Sequence, residues 1–272
     1  MGSFRIKGGK KLSGSIFPQG TKNEALQVLC ATLLTDSKVV INNLPDIIDV
    51  NNLISLLKKL GVSINRLDKG SYEFQTLKID KRYLQSDQFK VDGKSLRGSI
   101  MLIGPLLGRF GFGSIPRPGG DKIGRRRLDT HFDAFINLGA DFNYDKESYF
   151  YTVKSKNLKG ADILLEEPSV TGTANILMAS VLAKGKTVIY NAACEPYLQQ
   201  LSKMLVSMGA NILGIGSNRL IVNGVKKLKG TSHTLLPDMV EIGSWIGLAA
   251  MTKSELTIKN VRWEYLGPIP ST

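Results

Sequence analysis

Four cations follow one acid within six residues in Pro116-Arg-Pro-Gly-Gly-Asp121-Lys122-Ile-Gly-Arg125-Arg126-Arg127-Leu128-Asp129. The two prolines and two glycines ahead of Asp121 argue a long loop rather than a regular element. Long loops between regular elements are usually functional. The cations suit anionic ligands; the rival uses are a solvated basic face or a stripe along a nucleic-acid backbone. No aromatic residue interleaves them to stack on bases, which counts against nucleic acid.

Three helix starts offer a second source of anion binding, because free N–H groups converge there and the macrodipole favours negative charge. Thr21 as N-cap puts Lys22 and Asn23 in a first turn. Asp92-Gly-Lys94-Ser-Leu-Arg97-Gly opens the corresponding helix of a second unit, and Ser169-Val170-Thr171-Gly-Thr173 opens that of a third. Alone, each is equally an ordinary capped helix. If the units are related by pseudo-threefold symmetry, the three starts converge on one anion-binding floor.

The elements that must position these groups recur along the chain. Leu60-Gly61-Val62 returns as Leu138-Gly139-Ala140 and as Met208-Gly209-Ala210. Apolar helical stripes precede it, at Leu53, Ile54, Leu57 and Leu60 and again at Leu198, Leu201, Leu205 and Met208. Each glycine supplies the left-handed residue that ends a helix and turns the chain into a strand. Strands ending in a turn recur at Val40–Asn43, Val188–Asn191 and Thr257–Asn260, and capping-box signatures at Thr21–Glu24 and Asp238–Glu241. The pattern predicts helix–strand–helix–strand units over about 10–66, 77–143 and 158–213. A fourth begins near Lys227 and reaches only its first half. Half a unit cannot bury its apolar face, so a missing segment or another chain is expected to complete it.

The 272 residues suit one large domain or two ordinary ones. With 42% hydrophobic and 22% charged residues the chain is globular, not disordered, collagenous or coiled-coil. Thirty-six Lys and Arg against twenty-three Asp and Glu leave a net charge of +13, which favours anionic partners. No apolar run approaches the roughly 18–20 residues of a membrane span, and Met1–Lys7 lacks the hydrophobic core of a secretory leader. Cys30 and Cys194 have neither metal nor redox spacing and read as buried free thiols of a reducing cytosol. His131 and His233 read as structural, so no metal site is expected. Neither a phosphate-binding P-loop nor a nucleophile elbow is present.

Read together, Gly20-Thr-Lys22-Asn23-Glu-Ala-Leu26, Ser95-Leu-Arg97-Gly-Ser, Pro118-Gly-Gly-Asp121-Lys-Ile-Gly124, Arg126-Arg127-Leu128-Asp129-Thr-His131, Ser169-Val170-Thr171-Gly-Thr173 and Leu236-Pro-Asp238 resemble the UDP-N-acetylglucosamine 1-carboxyvinyltransferase family of enolpyruvyl transferases. The likeness runs from about Phe4 to Leu266. The shikimate-pathway enolpyruvyl transferases, with serine-rich helix starts, are the second reading. A non-catalytic polyanion or nucleic-acid binder is the rival from another class. The resemblance implies an α/β (α+β) fold, the inside-out barrel of βαβαββ repeats. Residues 21–236 then form one complete three-unit domain with a catalytic loop at about 115–128. Residues 1–20 and 237–272 belong to an incomplete second domain, and the family's remaining part, including an aspartate that deprotonates the sugar hydroxyl and two further arginines, lies beyond Thr272. The chain alone is therefore expected to bind weakly and turn over little.

The resemblance also implies the reaction. The enolpyruvyl group of phosphoenolpyruvate passes to the 3′-hydroxyl of UDP-N-acetylglucosamine in the cytoplasm, the first committed step of peptidoglycan synthesis, without metal, cofactor, nucleic acid or membrane. Carried over by position, Lys22 holds phosphoenolpyruvate and Asn23 the sugar nucleotide. Arg97 and Arg126 clamp phosphate and carboxylate, and Arg127, Leu128, Asp129, Ser169, Val170 and Thr171 border the uridine nucleotide. Two positions depart from the family. Asp121 stands where most members have the cysteine that acts as general acid and is alkylated by fosfomycin, which implies insensitivity to that drug. Glu167-Pro168 stands where many members have a lysine facing the nucleotide.

Overall fold

The structure, a computed structural model, describes residues 3–119 and 127–271. The chain opens on β1 (Ser13–Ile16), α1 (Lys22–Ala31), β2 (Val39–Asn42), α2 (Ile48–Lys59), β3 (Ser63–Asp68) and β4 (Ser71–Gln75). Next come α3 (Asp87–Ser95), a 3-10 run (Arg97–Leu102), α4 (Ile103–Phe110), β5 (Phe112–Pro116), α5 (Asp129–Asn137), β6 (Asp141–Asp145) and β7 (Phe150–Lys154). A third round holds β8 (Asp162–Leu164), α6 (Val170–Ser180), β9 (Lys186–Tyr190), α7 (Pro196–Ser207), β10 (Asn211–Leu213) and β11 (Arg219–Asn223). β12 (Thr231–Thr234), α8 (Met239–Thr252) and β13 (Glu255–Ile258) follow.

The repeats are structural. Gly61, Gly139 and Gly209 all adopt positive φ, at 102°, 85° and 101°. After α2 the Gly61 N–H bonds the Lys58 carbonyl and the Val62 N–H the Leu57 carbonyl; the same pair of bonds closes α5 and α7. This double closure satisfies carbonyls the helix end would otherwise strand. The strand-ending asparagines Asn43, Asn191 and Asn260 share φ of 55–60°, a left-handed turn that asparagine tolerates better than most residues.

Each round builds one sheet, in the orders β12-β2-β4-β3, β5-β7-β6 and β10-β11-β9-β8. β2 pairs antiparallel with β4, β5 with β7 and β9 with β11. Inside lie α1, α4 and α6, apolar on nearly every side: α1 is buried from Glu24 to Ala31 and α6 from Gly172 to Ser180. A helix without a polar face belongs in a core. α4 and α6 touch backbone to backbone, for a Cβ at Gly104 would stand 2.3 Å from the Asn175 carbonyl oxygen. Asn175 then bonds across the contact, accepting from Gly104 N–H and donating to the Ile100 carbonyl, both at 2.8 Å.

Four expectations are corrected. The strand near Lys227 does not open a fourth unit: β12 pairs parallel with β2 in the first sheet, while β1 pairs parallel with β13. Thr21 is the N-cap of α1 but closes no capping box. Its hydroxyl donates to the Leu236 and Pro237 carbonyls, and Glu24 turns inward to His233 and Leu236, tertiary partners displacing the local one. Lys94 ends α3 rather than opening a helix, because Ser86 caps that helix at its start and Leu96 is extended. Cys30 is buried as expected, but Cys194 is exposed.

Candidate functional site

The three inner helices aim their starts into one cavity of about 580 Å³. Lys22 and Asn23 enter from α1, Arg97 and Gly98 from the 3-10 run ahead of α4, and Ser169, Val170 and Thr171 from α6. At the second start the anion-binding turn thus begins at Arg97, five residues later than the sequence pattern places it. Ser169 caps α6, its hydroxyl accepting from Gly172 N–H at 3.2 Å.

Arg127 also lines the cavity, while Leu128 and Asp129 do not. Leu128 is the N-cap of α5 and packs on the core. Asp129 is ion-paired with Arg127, which holds its carboxyl below the usual carboxylate range. Arg127 reaches Glu166 as well, at 2.8 Å, and so ties α5 to the approach of α6. The leading limb of the loop is pinned too, Gly119 N–H donating to the Lys94 carbonyl at 3.1 Å. Asp121, Arg126, Lys122 and Arg125 lie outside the described residues.

Sequence reasoning missed the polar lining residues Gln27, Asp49 and Tyr197, and the apolar Ile100 and Met101; Glu167, noted as a departure from the family, is a wall of the cavity. Asp49, in the first turn of α2, forms an ion pair with Lys22; nothing in the spacing ties those two positions. Burial, then the charge of Glu195, raises the Tyr197 pKa. Gln27 had a legible signal, a polar residue within the otherwise apolar run Ala25–Ala31 of α1.

Beneath the third helix start sits His131, 1% exposed. Its Nδ1 accepts from the Asn175 amide at 2.9 Å, which leaves the proton on Nε2, 3.3 Å from the Thr171 hydroxyl. Burial first, and the Arg97 charge second, push this imidazole down to about 4. A neutral histidine therefore orients a hydroxyl of the cavity wall. His233 bonds the buried Glu24 at 2.8 Å, and burial raises that carboxyl. Among the described residues no group of three or more His, Cys, Asp or Glu could hold a metal ion.

A second basic recess, about 760 Å³, lies at the C-terminal ends of α4 and α6, with Arg109, Lys156, Lys184 and Lys226 in its wall. Arg109 Nη1 donates to the carbonyls of Leu33, Thr35 and Thr76. The first two lie at the end of the 3-10 run Thr32–Leu34 that continues α1, where a cation meets a negative pole, and the third just after β4. The cavity of helix starts, by contrast, presents positive poles and cations together. It can hold small phosphorylated or carboxylated molecules.

The sequence model of the EPSP synthase (3-phosphoshikimate 1-carboxyvinyltransferase) family matches residues 6–267. Proteins named UDP-N-acetylglucosamine 1-carboxyvinyltransferase are similar throughout: that of Bacteroides fragilis is 61% identical over all 272 residues, that of Porphyromonas gingivalis 56%, that of Treponema denticola 43% over 269. The chain spans 63% of the length of the first two and 62% of the third. Among solved structures, the enolpyruvyl transferase NikO from Streptomyces tendae superposes with a TM-score of 0.75 at 19% identity, over 89% of this chain and 56% of that one. An EPSP synthase from Acinetobacter baumannii gives 0.74 at 19%, over 93% and 57%. At that identity these two show a shared fold.

Proposed function

The chain belongs to the EPSP synthase family of carboxyvinyl transferases, and from that membership we propose that it carries the substrate cradle for enolpyruvyl transfer from phosphoenolpyruvate to the 3′-hydroxyl of UDP-N-acetylglucosamine, the first committed step of peptidoglycan synthesis. The observation carrying this reading is the one cavity that gathers Lys22, Asn23, Arg97, Arg127 and the Ser169–Thr171 turn. Identity of 61% to a protein named for that acceptor favours it over 3-phosphoshikimate.

Lys22 and Arg97, with Arg126, hold the phosphate and carboxylate of phosphoenolpyruvate; a guanidinium fork meets two oxygens at once where an ammonium meets one. Asp49 fixes the Lys22 ammonium by ion pairing. Asn23 orients the sugar nucleotide, whose uridine diphosphate lies along Arg127, Leu128, Asp129, Ser169, Val170 and Thr171. Asp121 gives a proton to the methylene carbon as the sugar hydroxyl oxygen attacks the adjacent carbon and its own proton passes to a base. The tetrahedral adduct then loses phosphate and one methyl proton, which restores the double bond. A free aspartate titrates near 3.9, so a half-protonated donor at pH 7 needs an upward shift of about 3 units, roughly 4 kcal/mol. Bound phosphoenolpyruvate supplies it by neutralising the neighbouring cations and excluding water.

The exchange of β1 for β12 supports a division into 1–20, 21–236 and 237–272, with the chain crossing at the Gly20–Pro237 bridge. The reading places the protein in the cytoplasm, and no described helix is long and apolar enough to cross a membrane. Calorimetric titration tests it. Saturable binding of UDP-N-acetylglucosamine that disappears in Lys22→Ala/Arg97→Ala supports the proposal; binding of 3-phosphoshikimate instead, or of neither, overturns it.

A further inference from the structure

Gln27 sits in the buried run of α1, 1% exposed, and lines the cavity. Its Oε1 has no hydrogen-bond partner among the described residues. Buried amide oxygens are nearly always paired, because an unpaired one forfeits its hydration without return. Ser180, at the far end of α6 from the cavity, also has an unpaired hydroxyl, but the buried polar side chains nearer the helix starts obey this. Glu24, one turn earlier, accepts from His233 Nε2 at 2.8 Å and Leu236 N–H at 3.1 Å. Asn175, in α6, uses both ends of its amide on Gly104 and Ile100. Gln27 departs from the pattern where α1 meets the cavity.

We propose that Gln27 is a sugar-recognition residue, its carbonyl oxygen accepting a hydrogen bond from a hydroxyl or acetamido N–H of a bound N-acetylhexosamine. This rests on the enolpyruvyl-transfer reading above, since only the acceptor substrate brings donors. Ionised phosphoenolpyruvate presents acceptor oxygens and a methylene group, which Lys22 and Arg97 suit and an amide oxygen does not. Asp49, another acceptor in the wall, is already engaged by Lys22. The terminal amide torsion of glutamine is soft, so a donor in the cavity can draw the oxygen toward itself. An acceptor left unpaired until substrate arrives discriminates strongly, because a ligand lacking the donor leaves it unpaired again.

Gln27→Met keeps length and removes the acceptor. Calorimetric titrations of the parent and the variant with UDP-N-acetylglucosamine, and with UDP as the probe without a sugar, decide the matter. The expected result is a roughly tenfold weaker Kd for UDP-N-acetylglucosamine, about 1.4 kcal/mol, with the UDP Kd unchanged. The ligand-free melting temperature should hold or rise, since the variant buries no orphan oxygen. Equal weakening toward both nucleotides, no weakening toward either, or a large fall in the ligand-free melting temperature would overturn the assignment while the wider reading stands. Failure of the parent to bind UDP-N-acetylglucosamine would overturn both.

Discussion

Mild acid should destabilise this protein through His131. The imidazole is fully enclosed, its Nδ1 lone pair is used by Asn175, and burial with the Arg97 charge holds it down at about 4. An unfolded histidine titrates near 6.5. Below that pH the unfolded chain takes up a proton that the folded one refuses until about pH 4. The contribution is therefore complete above 6.5 and is lost as pH falls toward 4. Proton linkage puts the loss between pH 7.5 and 5.0 at about 2 kcal/mol. Urea unfolding followed by circular dichroism at those two pH values measures it in the parent and in His131→Gln. Carboxylates shifted down by their partners, such as Asp92 and Asp129, also lose stability in acid, and the raised Glu24 acts in the opposite sense. All are common to both proteins, so the difference isolates His131. The variant should lose about 2 kcal/mol less than the parent over this interval; equal losses would refute the argument.

Gly104→Ala should destabilise the fold by about 3 kcal/mol, as overpacking does where backbone must move, since the new Cβ would lie 2.3 Å from a carbonyl oxygen; urea midpoints check it. Arg97→Lys should weaken phosphoenolpyruvate binding roughly tenfold through loss of the bidentate fork, read by titration calorimetry. Fosfomycin should leave residues 116–127 unmodified, because that stretch contains no thiol; mass spectrometry of the treated protein would show an adduct if the reasoning fails. The carboxyl pKa of Asp121, followed by NMR, should rise by about 3 units when phosphoenolpyruvate saturates the protein, and an unchanged value removes it as the proton donor.

Much of the fold was legible because the same local physics recurs. A glycine ends a helix at positions 61, 139 and 209, and an asparagine turns the chain after three strands, each by a conformation those residues adopt readily. The convergence of helix starts was legible for the same reason, as was the cationic character of Lys22 and Arg97. What the sequence concealed was tertiary. Nothing in the local pattern of β1 and β12 tells which sheet each will join. Glu24 carries a capping signature, yet His233, brought alongside by β12, competes for it successfully. Asp49 meets Lys22 only because α2 packs beside α1. Lys94 was misplaced because Leu96 leaves the helix path between two helical segments, and periodicity alone reads through such a break.

A crystal structure of the protein soaked with UDP-N-acetylglucosamine tests the cradle most directly. The nucleotide sugar should lie between Lys22, Asn23 and Arg97, with its diphosphate near the N-terminus of α6. Density instead in the recess of Arg109, Lys156, Lys184 and Lys226, with the helix-start cavity empty, would contradict the account.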